Sequence, residues 1–184
     1  MNKAVRIVGL LLALALLILS PSLAGYFGEK ETRESAEKIF PIPGKNLQIT
    51  AHENYEEITA KSNFDLQLEW ADIYLSVFTF DKTWVNEEIT RKDVYHSQND
   101  EILKFRKNIE ILEEETTEET KNGAVTRTLY QAKYKGKKNI YDFYLFEFDS
   151  TDTFAWVAIT ASPLNYKVNG EYVINVAYTI EPTK

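Results

Sequence analysis

The 184 residues contain no cysteine, one methionine and only two histidines, His52 and His96. The missing cysteine excludes disulfides, thiol catalysis, cysteine-ligated zinc and a lipid-modified N-terminal cysteine. Two histidines are too few for a histidine-rich metal site and leave a catalytic triad almost no choice of base. Glycine is scarce too: three of the seven fall in residues 1–28, leaving little from which to build a phosphate-cradling loop. Neither a Gly-x-Ser-x-Gly elbow nor a His-Glu-x-x-His helix motif occurs. Positive charge is in deficit, with 21 basic against 28 acidic residues and a net charge of −7. A surface that negative repels phosphate backbones and anionic headgroups, so nucleic acid is not an expected partner. Internal repeats and low-complexity tracts are absent as well.

What the chain does have is apolar and aromatic mass. Hydrophobic residues make up 44% and aromatics 13%, the composition of a folded protein. Residues 1–24 have the layout of an export signal. Lys3 and Arg6 precede an apolar run from Ile7 to Leu19, and Ser22 and Ala24 are small residues where an export peptidase reads, so cleavage is expected between Ala24 and Gly25. The competing reading is an uncleaved anchor. No charge interrupts residues 7–28, and 22 residues at about 1.5 Å each just span a hydrocarbon core of about 30 Å. In either case the basic residues stay inside and the remainder goes out. Residues 25–44 are charged, then broken by Pro41 and Pro43, and read as a tether. Residues 45–184 are the right length for one domain with a single core.

The domain is organised around three consecutive strands, at 124–135, 139–149 and 154–161, joined by turn-forming Gly136 and by Ser150 and Asp152. The middle strand is apolar on both faces, which suits the centre of a sheet covered on both sides. Before it, Phe64, Leu66, Leu68 and Trp70 alternate with Asp65, Gln67 and Glu69. The alternation resumes at 73–80, giving a hairpin whose second strand lies deeper in the sheet. Thr90 is a serviceable N-cap for a helix over residues 91–107, whose polar centre at 96–100 is a candidate break. Asn122-Gly123 is a hairpin connector, which makes the glutamates at 113–119 the solvated end of a strand. Residues 172–180 read as a closing helix stopped by Pro182, with strand alternation as the competing pattern. Together these elements predict an α+β fold: one antiparallel sheet of about six strands covered by helices.

The order of elements, with its opening strand from Leu47 through Tyr55, the hairpin, the helix, the Asn-Gly turn, the central meander and the closing helix, resembles the PsbP/Mog-like fold group. That group includes the DcrB-like small exported bacterial proteins. The resemblance spans roughly residues 45–182 and implies a binding or assembly accessory without shared catalytic residues. Ala51-His52 stands where the group usually has proline, and Tyr55 where tryptophan is common.

No cofactor or metal is expected. Glu147, Asp149 and Asp152 are a candidate weak calcium turn, but their spacing does not match a calcium loop and a plain polar turn is the simpler reading. The aromatic surplus of three tryptophans, eleven tyrosines and ten phenylalanines fills a core or makes an adhesive rim. Trp84, in a turn-like segment, is the aromatic expected to be exposed and the candidate partner contact. The function expected is an exported, non-catalytic binding or accessory domain at the cell envelope, secreted or anchored to the cytoplasmic membrane. Its partner would be an envelope protein or polymer, and membrane contact would come only through residues 7–28 if these are retained. The alternatives are a small extracellular hydrolase using carboxylates and a histidine, and a small-ligand carrier.

Overall fold

A computed structural model describes residues 36–61 and 63–183. The expected targeting segment, with Ala24 and Gly25, lies outside the described residues. No helix among the described residues is long and apolar enough to cross a membrane.

Among the described residues ten strands and two α-helices follow one another. Strands β1 (Glu37–Pro41), β2 (Leu47–His52), β3 (Glu56–Glu57), β4 (Leu66–Trp70) and β5 (Ile73–Asp81) precede helix α1 (Arg91–Leu103). Strands β6 (Lys107–Thr120), β7 (Gly123–Tyr134), β8 (Lys137–Phe148) and β9 (Thr153–Ala161) precede helix α2 (Pro163–Ala177), and β10 (Glu181–Pro182) ends the chain. The fold is α+β, but the single sheet of about six strands becomes two sheets. Seven strands run in the order β3-β4-β5-β9-β8-β7-β6, and three more in the order β1-β2-β10. All pairings are antiparallel.

The second sheet exists because residues 37–43 belong to the domain, where the sequence reads as tether. Phe40 alternates with exposed neighbours and, with Ile42, is buried to 1% exposure, so pairing β1 with β2 removes both side chains from water. Pro41 and Pro43 break helices but tolerate an edge strand and its turn. At the other end, the helix expected over 172–180 ends at Ala177, and the residues after it form β10, which pairs with β2 through Glu181 and Pro182.

Alternation along the strands sends two sets of apolar side chains to the two faces of the large sheet. Leu66, Leu68, Leu75, Val77, Tyr144, Phe146, Val157 and Ile159 face the small sheet and α2, packing with Phe40, Leu47, Ile49, Val173 and Ile180. Phe80, Tyr141, Phe143, Leu145, Phe154 and Trp156 face α1 and pack with Val94, Tyr95 and Leu103. β8 sits between β7 and β9 and is buried on both faces, as its sequence predicts.

Both helices differ from their sequence boundaries for local reasons. α1 keeps its polar centre because Asn99 is buried and its Oδ1 accepts from Trp156 Nε1 at 2.8 Å. The Tyr95 hydroxyl donates to the Phe143 carbonyl at 3.1 Å and lies 3.0 Å from Thr128 Oγ1. α1 stops at Leu103, short of 107, because β6 begins at Lys107. α2 starts nine residues earlier than the apolar spacing at 172–180 suggests. Ser162 is its N-cap, accepting from Asn165 N at 3.1 Å, and Pro163 occupies the first turn, where its missing N–H costs nothing.

Candidate functional site

The site is built on the connection from β5 to α1. Asp81 caps a single 3-10 turn, Lys82–Trp84, by accepting from Thr83 N at 2.8 Å. Hydrogen bonds first from the Thr83 backbone and then its side chain hold the Asp81 carboxyl below the usual range. That turn lifts Trp84 out of the sheet and stacks it on Phe80, ring centroids 5.5 Å apart at 29°. Phe80 in turn packs on Phe154 at 5.3 Å, so the platform beneath the indole is buried and fixed. Beyond Trp84 the loop is tied by Asn86, whose Oδ1 accepts from Glu88 N at 2.8 Å and Ile89 N at 3.0 Å. Its backbone N–H also donates to the Ile89 carbonyl at 2.9 Å. Thr90 and Asp93 then close a reciprocal capping box on α1. The hydrogen bond from the Thr90 side chain, with that from its backbone, pulls the Asp93 carboxyl below its ordinary pKa.

Between this loop and the first turns of α1 lies a groove of about 460 Å³ lined by Trp84, Asn86, Ile89, Asp93, Val94, Ser97 and Gln98. Trp84 is 50% and Ile89 45% exposed, while Val94 is buried and forms part of the lining. The groove is mainly apolar, with amide and hydroxyl groups and the Asp93 carboxylate, itself bonded to Thr90, among its lining, the make-up of a site that seats an apolar side chain and orients it by hydrogen bonds. The sequence expectation about Trp84 concerned exposure; the neighbouring Ile89 and the groove itself arise from the Asn86 turn and the cap, which the spacing of apolar residues does not reveal.

The other sequence candidates do not come together. His52 lies on β2, in the small sheet, and its Nδ1 accepts from Asn54 N at 3.1 Å. His96 lies on α1, across the large sheet, with Nε2 2.9 Å from Glu115 Oε2, at ion-pair distance rather than in an aligned hydrogen bond. Lys92 reaches the same carboxylate group at 3.0 Å. A seven-stranded sheet therefore separates the two imidazoles. Glu147 is engaged by Arg91 at 2.6 Å. Asp152 lines a polar depression together with Lys45, Asn46 and Thr151. Among the described residues no group of three or more His, Asp or Glu side chains is arranged to hold a metal.

One polar centre escapes the sequence reading. Asp142, in the middle of β8, has no exposed surface, and it accepts from Arg127 Nε at 2.9 Å and Nη2 at 3.0 Å. It also accepts from the Tyr144 and Tyr166 hydroxyls at 2.6 Å each. Burial, followed by the charge of Asp142, pushes both phenols well above their ordinary pKa. Burial disfavours the Arg127 cation, but its hydrogen bonds to Asp142 and that group's charge outweigh the penalty and raise its pKa. Every acceptor is filled and both phenols are driven away from phenolate, so the cluster is arranged to hold β7, β8 and α2 together and presents no nucleophile. Its sequence signal was a lone acidic residue inside the apolar run of β8.

Comparison with known proteins was made on this geometry. No protein family and no curated protein matches the chain at the level of sequence. At the level of fold, solved structures do. The solution structure of cyanobacterial PsbP (CyanoP) from Synechocystis matches 80% of this chain and 92% of that one, with a TM-score of 0.56 at 9% identity. The Ran-binding protein Mog1p of Saccharomyces cerevisiae matches 81% of this chain and 96% of its own, with a TM-score of 0.55 at 10% identity. The chain has the PsbP/Mog fold. At this identity the likeness is one of fold alone.

Proposed function

We propose that this PsbP/Mog-fold chain is an exported, non-catalytic binding or accessory domain at the cell envelope that seats a protein partner in the Trp84 groove. The observation that carries the reading is the half-exposed Trp84 and Ile89 flanking an apolar groove of about 460 Å³ on a rigid support. Large aromatics held over buried rings are the side chains that dominate protein interfaces, because they bring area at small entropic cost. The volume suits two or so large apolar side chains, as offered by one face of a short amphipathic segment. The leader-like residues 1–24 support export, and the separation of His52 from His96 counts against the hydrolase alternative. Mog1p is named for binding a protein, Ran, which is in keeping with a protein partner here.

The test is quantitative recovery of proteins from detergent-solubilised envelope on immobilised full-length chain, run in parallel with Trp84→Ala and with Leu164→Ala as a surface control. At least one protein is expected to be lost about tenfold with Trp84→Ala and retained with Leu164→Ala. Identical recoveries for all three chains would remove the groove as the binding site, and absence of the chain itself from the envelope and secreted fractions would remove the location.

A further inference from the structure

β6 ends the seven-stranded sheet, and among the described residues no strand lies along its outer side. An edge of that kind offers a row of backbone N–H and C=O groups to any extended chain that can approach. At 14 residues β6 is longer than its neighbour β7, and nearly all of it is exposed. Its two halves differ. Toward Lys107, Ile109, Ile111 and Leu112 are 44–49% exposed, and Phe105 just before the strand is 69% exposed. Toward the Asn122-Gly123 turn the strand is acidic, and its full length carries six glutamates against one lysine. Glu113 is held by Arg127 at 2.6 Å and Glu115 by Lys92 and His96, while Glu114 and Glu119 stand exposed on the strand.

We infer that β6 is a docking edge for an extended basic segment of a protein partner, which adds to the sheet as a further strand. The segment's apolar residues lie against the Ile109–Leu112 half and its lysines or arginines beside the glutamates. Charge selects this occupant over the alternatives. Two copies of the chain pairing antiparallel through β6 would set glutamate against glutamate near the strand's middle, and like charges directly opposite are destabilising. A neutral apolar strand would crowd the carboxylates without compensating them. A basic strand meets opposite charge at the acidic rungs, so the residues that deter self-pairing become the ones that admit this partner. The backbone agrees. Pairing with β7 slips between Lys107 and Glu110, Ile111 and Glu113, and Glu113 and Thr116, then runs without interruption over residues 116–120, leaving a regular ladder edge in the acidic half. The inference is independent of the Trp84 groove, since it rests on a different element.

The probes are three fluorescent peptides of about ten residues, the length of a typical strand: alternating lysine and valine, alternating glutamate and valine, and the lysine peptide with a central proline. They are titrated against the full-length chain in neutral detergent at low salt. The lysine peptide is expected to bind at least tenfold tighter than the other two and to slow amide hydrogen exchange in residues 116–120. Its affinity should fall with salt, drop at least tenfold in the double variant Glu114→Lys/Glu119→Lys, and be unchanged in Trp84→Ala. Equal binding of the lysine and glutamate peptides would overturn the proposal, as would no binding of the lysine peptide, or full binding of the proline peptide. Exchange protection of β6 by self-association in the absence of peptide would overturn it too. Should the double variant fail to fold by circular dichroism, the comparison of peptides on the unsubstituted chain decides alone.

Discussion

Asp142 occupies a position where an ionised carboxylate is expensive to desolvate, and the surrounding residues are chosen to offset that cost. Arg127 supplies two of its four hydrogen bonds and the opposite charge, and Tyr144 and Tyr166 supply the other two. Removing one partner leaves the other buried and uncompensated, so Asp142→Leu or Arg127→Met alone should cost about 3–5 kcal/mol, whereas the double replacement should cost less than the sum of the two. Urea denaturation of the three variants reads this directly, and additive costs would show the pair to be uncoupled. The same cluster sets an alkaline limit. In the folded chain the phenols of Tyr144 and Tyr166 are raised above the ordinary tyrosine value of about 10, while in the unfolded chain they sit at it. The folded state therefore holds more protons above that pH, and the stabilisation, complete below about pH 10, is lost as the pH climbs past it. Tyrosinate absorbance should resolve an exposed class of tyrosines that titrates first and a buried class that appears only with unfolding; a single class ionising while the fold persists would contradict the assignment.

Among the elements, the turn from β6 into β7 and the cap of α1 make the sharpest demands on sequence. Gly123 has φ +144°, and a Cβ there would stand 2.0 Å from the Glu147 carbonyl oxygen on the neighbouring strand. Gly123→Ala should therefore lower stability by about 2 kcal/mol or more, seen as a lower melting temperature; an unchanged melting temperature would show that β7 and β8 can separate freely at that rung. Thr90→Ala removes half of the capping box on α1 and should cost about 1 kcal/mol. Because the Asp93 carboxyl is held below its unfolded value, its contribution is present above the ordinary carboxylate pKa and fades as the pH falls through and below that range. Thr90→Ala should accordingly flatten the acid limb of the stability profile.

These elements also show what was legible beforehand. Alternation at 64–80 and the doubly apolar run of β8 each carry a local physical cause and lie where their pattern puts them, whereas the hairpin expected from Asn122-Gly123 turns one residue earlier, on Lys121 and Asn122, with Gly123 already paired to Thr120. α2 was misplaced because its first nine residues, with exposed Leu164 and Val168, lack the apolar spacing that residues 172–180 have, and only the Ser162-Pro163 cap marks its start. β1 was missed because a five-residue strand with one inward side chain, Phe40, carries almost no periodic signal; its partner β2 lies across a turn, and pairing is a property of two segments. For the site, exposure of Trp84 followed from its turn-like neighbours, whereas the groove depends on Asn86 and Thr90 bonding their own backbones.

For the whole molecule, the consequence is that the domain begins at Glu37. A chain beginning at Glu37 keeps Phe40 and Ile42 in the core, and one beginning at Lys45 loses both, each burial being worth about 1.5–3 kcal/mol. The shorter chain should melt well below the longer one, and equal melting temperatures would show that the three-stranded sheet adds nothing. Two faces of the large sheet are thus covered, one by α1 and the other by α2 with the small sheet, and among the described residues the Trp84 groove and the β6 edge are the surfaces proposed for partners. The proposed function has a protein held at that groove outside the cytoplasmic membrane. It is tested most directly by placing a photoreactive amino acid at position 89 of the full-length chain in living cells and measuring cross-linked adducts in the envelope fraction. The account predicts a discrete adduct of higher mass that disappears when Trp84→Ala is added and does not form from a photoreactive residue at position 164. An adduct pattern that is the same from positions 89 and 164 and indifferent to Trp84 would contradict it.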